Sequence, residues 1–220
     1  PTADYYTDEL INEAKEFSDT AVIVIARVGG EGTDLPTDLG AKDEEGNNLY
    51  TYTDNSTEYS DFEPGQHYLE LSQTERNMVN IVCKNFDHVI VICNSSNAME
   101  LGWVDEYKQI GSVISCPGAG ETGFAALGKI LNGEVNPSGK LADTYVYDLT
   151  ATPAFNNFGD FTYENMNEFG WEEANPFSGE TKQNDVNFVN YVENIYGGYK
   201  FYETAYAEAE AGNMNFDYDK

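Results

Sequence analysis

The residue with the clearest chemical potential is Glu31, which lies in a glycine-rich stretch directly after a hydrophobic run. Residues 22–28 are mostly β-branched or apolar, and residues 29–34 read GGEGTD. An uninterrupted run of this kind predicts a strand covered on both faces, as in a parallel α/β sheet. Ligands of open parallel sheets bind beyond the carboxyl ends of the strands, which makes Glu31 a candidate site residue. Most loop acids only face water, however, so this segment alone favours a tight turn with a solvated acid.

The elements that must position this loop alternate between helix and strand. Apolar spacing predicts a first helix over residues 8–17, and Ser72 with Glu75 forms a capping-box pattern at the start of a second. The apolar residues of a third helix are Phe124, Leu127, Ile130 and Leu131. The predicted strands cover residues 21–26, 88–93 and 112–116. This order predicts βαβ units and a mostly parallel sheet with helices on both faces.

Polar or glycine-rich segments follow all three predicted strands. Because parallel strands end at one edge of a sheet, we expect Glu31, residues 94–97 and residues 117–121 to gather there. Residues 117–123 open a helix after a strand, as a phosphate-binding loop does. They lack the residues of a P-loop and the spacing of the Rossmann fingerprint, and an acid at a helix start repels phosphate. We therefore expect no nucleotide and no other cofactor.

Composition excludes several classes of partner. Eleven basic and 39 acidic residues give a formal charge of −28, which argues against nucleic acid and anionic membrane. The acids are scattered, so they predict no metal site. No stretch approaches the ~20 apolar residues of a membrane span. The start also lacks a signal-peptide pattern, and both observations favour a cytoplasmic location.

The three cysteines, Cys83, Cys93 and Cys116, lie in or beside apolar segments and form no CxxC pair. We expect buried free thiols rather than a nucleophile or zinc ligands, because His67 and His88 form no local pairing with a cysteine. No G-x-S-x-G elbow is present, which argues against an α/β-hydrolase.

Two long stretches of the chain and its last residues lack a regular pattern. Residues 29–67 are polar and long for a connector, which predicts a functional loop or an insertion. Residues 151–187 are polar, aromatic and rich in turns, and predict long irregular loops rather than a second core. We expect one domain over residues 1–207 and an acidic, frayed or truncated tail over residues 208–220.

Seven motifs in chain order resemble the α/β sandwich domain of glycoside hydrolase family 3, the β-glucosidase family. They are GEGTD (30–34), LSQ (71–73), VIVI (89–92), MELGW (99–103), PGAGETG (117–123), LNGEVNPSGKL (131–141) and YVENIYGGYKFY (191–202). The resemblance covers residues 19–204 and implies a three-layer, flavodoxin-like sandwich with about six strands, mostly parallel.

The resemblance also implies a mechanism. Family members are retaining glycosidases that act on β-linked glycosides or oligosaccharides with two carboxylates. The nucleophile is an aspartate on a separate (β/α)8 barrel, and the acid/base is a glutamate in the loop after the first strand of the sandwich. Glu31 occupies that position, with Arg27 and Asp34 as loop support or substrate-binding residues. Glu44, Glu45 and Glu58 remain rival acids, because the family varies most over residues 39–68.

This sequence departs from the family in ways that limit the prediction. It has no barrel and stops before the Phe-Gly-Tyr-Gly-Leu segment that usually follows. It also has Gly197 where a bulkier residue is common and Lys200 where the family has arginine. We therefore expect an incomplete part of a larger enzyme that is inactive alone. Two alternatives remain: a non-catalytic carbohydrate-binding or domain-docking module, and a flavodoxin-like nucleotide binder.

Overall fold

This computed structural model describes residues 3–29, 35–50, 61–157, 161–184 and 187–215. Its contacts divide the chain into two units, Pro1–Tyr147 and Asp148–Lys220, and each is described by itself. The helices and strands of the first unit are α1 (Asp8–Phe17), β1 (Thr20–Arg27), α2 (Gln73–Asn85), β2 (His88–Ser95), β3 (Ile110–Ser115) and α3 (Gly120–Leu131). Those of the second are α4 (Pro153–Asn156), β4 (Phe161–Thr162), β5 (Trp171–Ala174), β6 (Thr181–Asn184), β7 (Asn187–Phe188) and α5 (Tyr199–Glu210).

A parallel sheet in the order β1-β2-β3 forms the centre of the first unit. Thr20 pairs with His88 and Arg27 with Ser95, so β1 and β2 run in register over their full length. The carboxyl ends of neighbouring strands therefore lie side by side. The predicted α/β class and parallel sheet are confirmed, and the described residues contain three of the about six strands that the resemblance implies.

Local signals account for the helix starts. The Oγ1 atom of Thr7 accepts a hydrogen bond from the amide of Leu10 and caps α1. At α2 the capping box is confirmed: the amide of Glu75 donates to Ser72 Oγ at 3.2 Å, and the amide of Ser72 donates to Glu75 Oε2 at 2.9 Å. Both caps satisfy amides that have no partner inside the helix.

The core of this unit lies between the sheet and α2. Ile23, Ile25 and Val91 pack there against Val79 and Cys83 of the helix. The opposite face differs from the prediction that β1 is covered on both sides. Val22 is 46% exposed and Val24 is 51% exposed, whereas Ile92 on the neighbouring strand is 2% exposed. Val24 and Ile92 are register partners and share this face, so the structure covers the face at β2 but leaves it open at β1. A face of a sheet is buried only where another layer packs on it.

Apolar residues of α1 and α3 are more exposed than their helical spacing predicts. Phe17, the last residue of α1, is 92% exposed, although Ala14 packs against the core. No residue of α3 is buried, and both Phe124 and Leu131 are exposed. The apolar spacing therefore predicted the two helices correctly, but it did not predict how exposed these side chains are.

A second, smaller core lies within the polar stretch after β1. Leu39, Phe62 and Tyr68 are buried together, with Leu35 packed against them. The described parts of residues 29–67 therefore contain packed structure rather than a plain connector. This small core lies directly beside the end of β1 through Tyr68.

The second unit contains more regular structure than predicted. Within the range expected to be irregular, β5 pairs with β6 and β4 pairs with β7, both antiparallel. Phe188 packs against Phe161 and Tyr163, with ring centroids 5.8 and 5.1 Å apart. Helix α5 continues to Glu210, three residues past the predicted domain boundary at 207. None of the helices in the described ranges has the length and apolar character needed to cross a bilayer.

Candidate active site at the end of the first strand

Glu31 and Asp34 lie in residues 30–34, outside the described residues, and so does the rival acid Glu58. The other two rivals, Glu44 and Glu45, are exposed in a turn where the amide of Glu45 donates to Asp43 Oδ1. The site is therefore defined by Arg27 to Gly29, the described residues that directly precede Glu31 in the sequence, and by the contacts that they make.

Arg27, the last residue of β1, is buried and uses all five of its N–H donors. The Nε atom donates to the carbonyl of Tyr68 at 2.7 Å, and Nη2 donates to the carbonyl of Glu70 at 2.6 Å. The Nη1 atom donates to the carbonyl of Ala26 at 2.8 Å. The two remaining donors, one on each Nη, bond the two oxygens of Glu75 at 2.5 Å. An arginine has five N–H donors, so this guanidinium is saturated by protein acceptors.

Aromatic rings complete the surroundings of the Arg27 guanidinium. Its central carbon lies 5.4 Å from the ring centroid of Tyr68 and 5.9 Å from that of Phe62. Both distances lie within the range of cation–π attraction. The guanidinium is thus enclosed by two rings of the small core as well as by its hydrogen bonds.

Glu75 joins the end of β1 to the start of α2. Its carboxylate accepts the two bonds from Arg27 and also the amide of Ser72, the N-cap of the helix. One carboxylate therefore neutralises the buried arginine and closes the capping box. A bidentate arginine–carboxylate pair fixes direction as well as distance, so β1 and α2 are held in one orientation.

The first two residues after β1 are held by separate contacts. The amide of Val28 donates to the hydroxyl oxygen of Tyr68 at 3.3 Å. Gly29 lies against Asn97, and a Cβ at that position would lie 2.2 Å from Asn97 Oδ1. The loops after β1 and β2 therefore meet, as predicted for residues 94–97. Residues 117–121 follow β3, at the same edge but beyond β2.

Beside the small core lies a buried polar cluster that the sequence did not reveal. His67 Nε2 lies 2.9 Å from Glu100 Oε1, and the amide of Leu69 donates to His67 Nδ1 at 3.2 Å. Since an amide can only donate, Nδ1 is the unprotonated nitrogen, and Nε2 donates to Glu100. The two residues are 33 positions apart, so no short-range spacing could indicate the pair.

The cysteines have the surroundings of structural thiols. Cys83 and Cys93 are buried and Cys116 is half-buried, and all three are free. Burial raises the pKa of the Cys93 thiol to about 11, although the charge of Arg27 opposes this. A thiol with so high a pKa is protonated at neutral pH and is a poor nucleophile.

The second unit contains an apolar cavity of about 290 Å³. One oxygen of Glu193, Oε2, is buried at this cavity, and among the described residues it has no hydrogen-bond partner. The lining residues are Pro153, Val192, Glu193, Tyr196, Phe201, Thr204, Ala205 and Met214.

A family model described as the glycosyl hydrolase family 3 C-terminal domain matches residues 6–199. The chain belongs to this family. The match includes the end of β1, the residues that bond Arg27 and residues 30–34 with Glu31. It also extends from the first unit into the second, to the first residue of α5.

Similar proteins are β-glucosidases. The chain is 31% identical to beta-glucosidase A of Butyrivibrio fibrisolvens over 96% of its own length and 22% of that protein. It is 27% identical to a beta-glucosidase of Ruminococcus albus over 90% of this chain and 15% of that one. Among solved structures, a beta-glucosidase from Paenibacillus barengoltzii matches with a TM-score of 0.60 and 26% identity, over 90% of this chain and 16% of that one. This family 3 domain thus spans about a fifth or less of its relatives' length.

Proposed function

We propose that this chain is the accessory domain of a retaining β-glycosidase and supplies its general acid/base, Glu31. The nucleophile would be an aspartate on a (β/α)8 barrel outside this chain, and the substrate a β-linked glycoside or oligosaccharide. Membership of the family 3 C-terminal domain supports the glycosidase class, and the similar proteins named above are β-glucosidases. The observation that carries the proposal is the firmly held end of β1, from which the loop with Glu31 departs.

The proposed roles follow from the two-step chemistry of retention. The nucleophile attacks the anomeric carbon while Glu31 donates a proton to the leaving oxygen, and a glycosyl–enzyme intermediate forms. Glu31 then accepts a proton from the water that hydrolyses this intermediate. The acid needs a raised pKa, and exclusion of water between the two domains would supply it. The two carboxyl groups would lie about 5–5.5 Å apart.

Arg27 supports the loop rather than the substrate in this proposal. Its five donors already bond protein acceptors, and its side chain is only 2% exposed, so it has nothing left for a sugar hydroxyl. Asp34 is proposed as a second support or substrate-binding residue in the same loop. Glu44, Glu45 and Glu58 stay rivals of Glu31 for the acid/base role.

The test is made in the complete enzyme, with the barrel present. Glu31→Ala should lower kcat/KM for an alkyl β-glucoside by about 10²–10⁴-fold, the usual contribution of a general acid. It should change glycosylation by 2,4-dinitrophenyl β-glucoside far less, because that leaving group departs without a proton. Glu44→Ala is the matched control and should behave as wild type. Equal effects of Glu31→Ala on the two substrates would refute the assignment, and a leaving-group effect of Glu44→Ala would transfer it to that residue.

The same proposal states that the isolated chain is inactive, because one carboxylate cannot perform both steps. The pure 220-residue protein should not hydrolyse an aryl β-glucoside above the background rate, and turnover abolished by Glu31→Ala would contradict this.

A carbohydrate-binding or docking module is the second candidate. Its support is the apolar cavity of the second unit, where Tyr196 and Phe201 offer aromatic rings beside the Glu193 carboxylate. Calorimetry of the isolated chain with β-linked oligosaccharides distinguishes the two functions. Binding by this chain, together with a Glu31→Ala enzyme of normal activity, would favour the module.

A further inference from the structure

The contact between Tyr68 and Val28 lies two residues before the stretch that contains Glu31 and its neighbours. The Val28 amide is the first backbone donor after β1, and its partner is a side-chain hydroxyl 40 residues further along the chain. The amide therefore leaves the regular pairing of the sheet and depends on one phenol oxygen for the bond. A change at this oxygen acts on the start of the loop without touching the proposed acid.

Tyr68 itself is held by groups that do not belong to the loop. It is buried in the small core, where its ring centroid lies 6.4 Å from that of Phe62. Its carbonyl accepts from Arg27 Nε, and its own amide donates to the carbonyl of Pro36 at 3.3 Å. Ring, carbonyl and amide are thus each fixed, which makes the hydroxyl a rigid acceptor rather than a mobile one.

We propose that Tyr68 is a positioning residue for the acid/base, because its hydroxyl holds the backbone from which the Glu31 loop departs. This inference rests on the proposed function of Glu31. Catalytic groups must be held to within about 0.5 Å and 10–20° of the productive geometry by the residues around them. Loss of the hydroxyl leaves the ring and the core in place but releases the Val28 amide, so the acid samples less productive positions.

Tyr68→Phe in the complete enzyme is the test, because it removes only the hydroxyl. The expected result is a fall of about 10-fold in kcat/KM for an alkyl β-glucoside, since misplacement by 1 Å can cost about 10²-fold. The value of kcat/KM for 2,4-dinitrophenyl β-glucoside should stay within about 2-fold, because this quantity reports the first step, in which that leaving group needs no proton. A merely structural role would lower both rates together, so the ratio of the two rates is the decisive quantity.

Tyr107→Phe is the matched control. The hydroxyl of Tyr107 donates to Asn80 Oδ1 at 2.6 Å, and the substitution removes that contact. Tyr107 precedes β3, at the amino end of the parallel strands, whereas Val28 follows the carboxyl end of β1. The ratio of rates in Tyr107→Phe should equal that of the wild type. A second measurement uses the isolated chain: amide hydrogen exchange at Val28 should be faster in Tyr68→Phe and unchanged in Tyr107→Phe.

The outcomes separate this inference from the function beneath it. If Glu31→Ala shows no dependence on the leaving group, the proposed function fails and this inference fails with it. If Glu31→Ala shows that dependence but Tyr68→Phe keeps the wild-type ratio, only the positioning role is refuted. Unchanged exchange at Val28 in Tyr68→Phe would also refute it.

Discussion

Removal of either partner of the Arg27–Glu75 pair should destabilise the first unit far more than removal of a surface charge. In Arg27→Met the aliphatic stem is retained, while the carbonyls of Tyr68 and Glu70 lose their charged donor. In Glu75→Gln a guanidinium whose side chain is 2% exposed keeps its charge without a counter-ion. Breaking one partner of a buried pair costs about 3–5 kcal/mol.

The geometry places the two substitutions within that range. Glu75 is 19% exposed and still accepts from the Ser72 amide, so water can replace part of what Arg27→Met removes. We expect about 3 kcal/mol for Arg27→Met and about 4 kcal/mol for Glu75→Gln, because the arginine is the more deeply buried partner. The double variant should cost at least about 2 kcal/mol less than the sum, since the two residues share one interaction.

The assay is urea unfolding of the 220-residue chain followed by circular dichroism, as a double-mutant cycle. The matched control is the exposed pair Arg76–Glu106. Arg76 lies on α2, as Glu75 does in the buried pair. The paired atoms of Arg76 and Glu106 are 3.6 Å apart and their side chains are 42% and 57% exposed. Arg76→Met should cost less than about 1 kcal/mol, as exposed pairs do. The reasoning is refuted if Arg27→Met costs no more than Arg76→Met, or if the cycle is additive to within about 0.5 kcal/mol.

Four further predictions concern Gly29, Cys93 and Ser72. Gly29→Ala should displace the Asn97 side chain, because its Cβ would lie 2.2 Å from Asn97 Oδ1. Since that atom is the end of a flexible side chain, the loss in urea unfolding should stay below about 1 kcal/mol, and Asn97→Ala should remove most of it. Cys93, whose pKa is raised to about 11 by burial, should react with DTNB at pH 8 much more slowly than Cys116. Since the pKa of Cys93 is higher in the folded state, ionisation of this thiol lowers the free energy of unfolding as pH rises from about 9 towards 11. Cys93→Ala should therefore lose less stability than the wild type over this pH range in alkaline unfolding. Ser72→Ala should cost about 1 kcal/mol in thermal or urea unfolding, because the N-cap is lost.

The sequence predicts well what short-range chemistry determines. The capping box at Ser72 and Glu75 needs residues three apart, and the spacing in α1 needs one helical face, so both could be identified from the chain alone. The end of β1 became a candidate site mainly through the resemblance to the family, because the apolar run and the glycines after it favour a solvated turn by themselves; the role of Glu31 stays a prediction. The parallel order of the strands followed from the alternation of elements.

The sequence could not predict contacts between distant segments. Arg27 finds Glu75 at a separation of 48 residues and Tyr68 at 41, and no periodicity connects these positions. The exposure of Val22 and Val24 was not predicted for a related reason: a β-branched run is the same whether or not another layer packs on its second face, and that packing depends on tertiary structure. The contact of His67 with Glu100 also joins distant segments, since 33 positions separate the two residues.

The pairing of Arg27 also bears on the proposed acid role of Glu31, which follows it by four residues in the sequence. An unpaired guanidinium at the base of the loop would lower the pKa of a nearby carboxyl, because it favours the charged form. A general acid needs the opposite shift. The carboxylate of Glu75 neutralises the charge of Arg27 through two hydrogen bonds, and the ring of Tyr68 lies against the guanidinium. The arginine can thus stiffen the end of β1 by its hydrogen bonds while contributing little positive field to the loop. Lysine could not replace it, since three donors and a point charge cannot satisfy five acceptor positions.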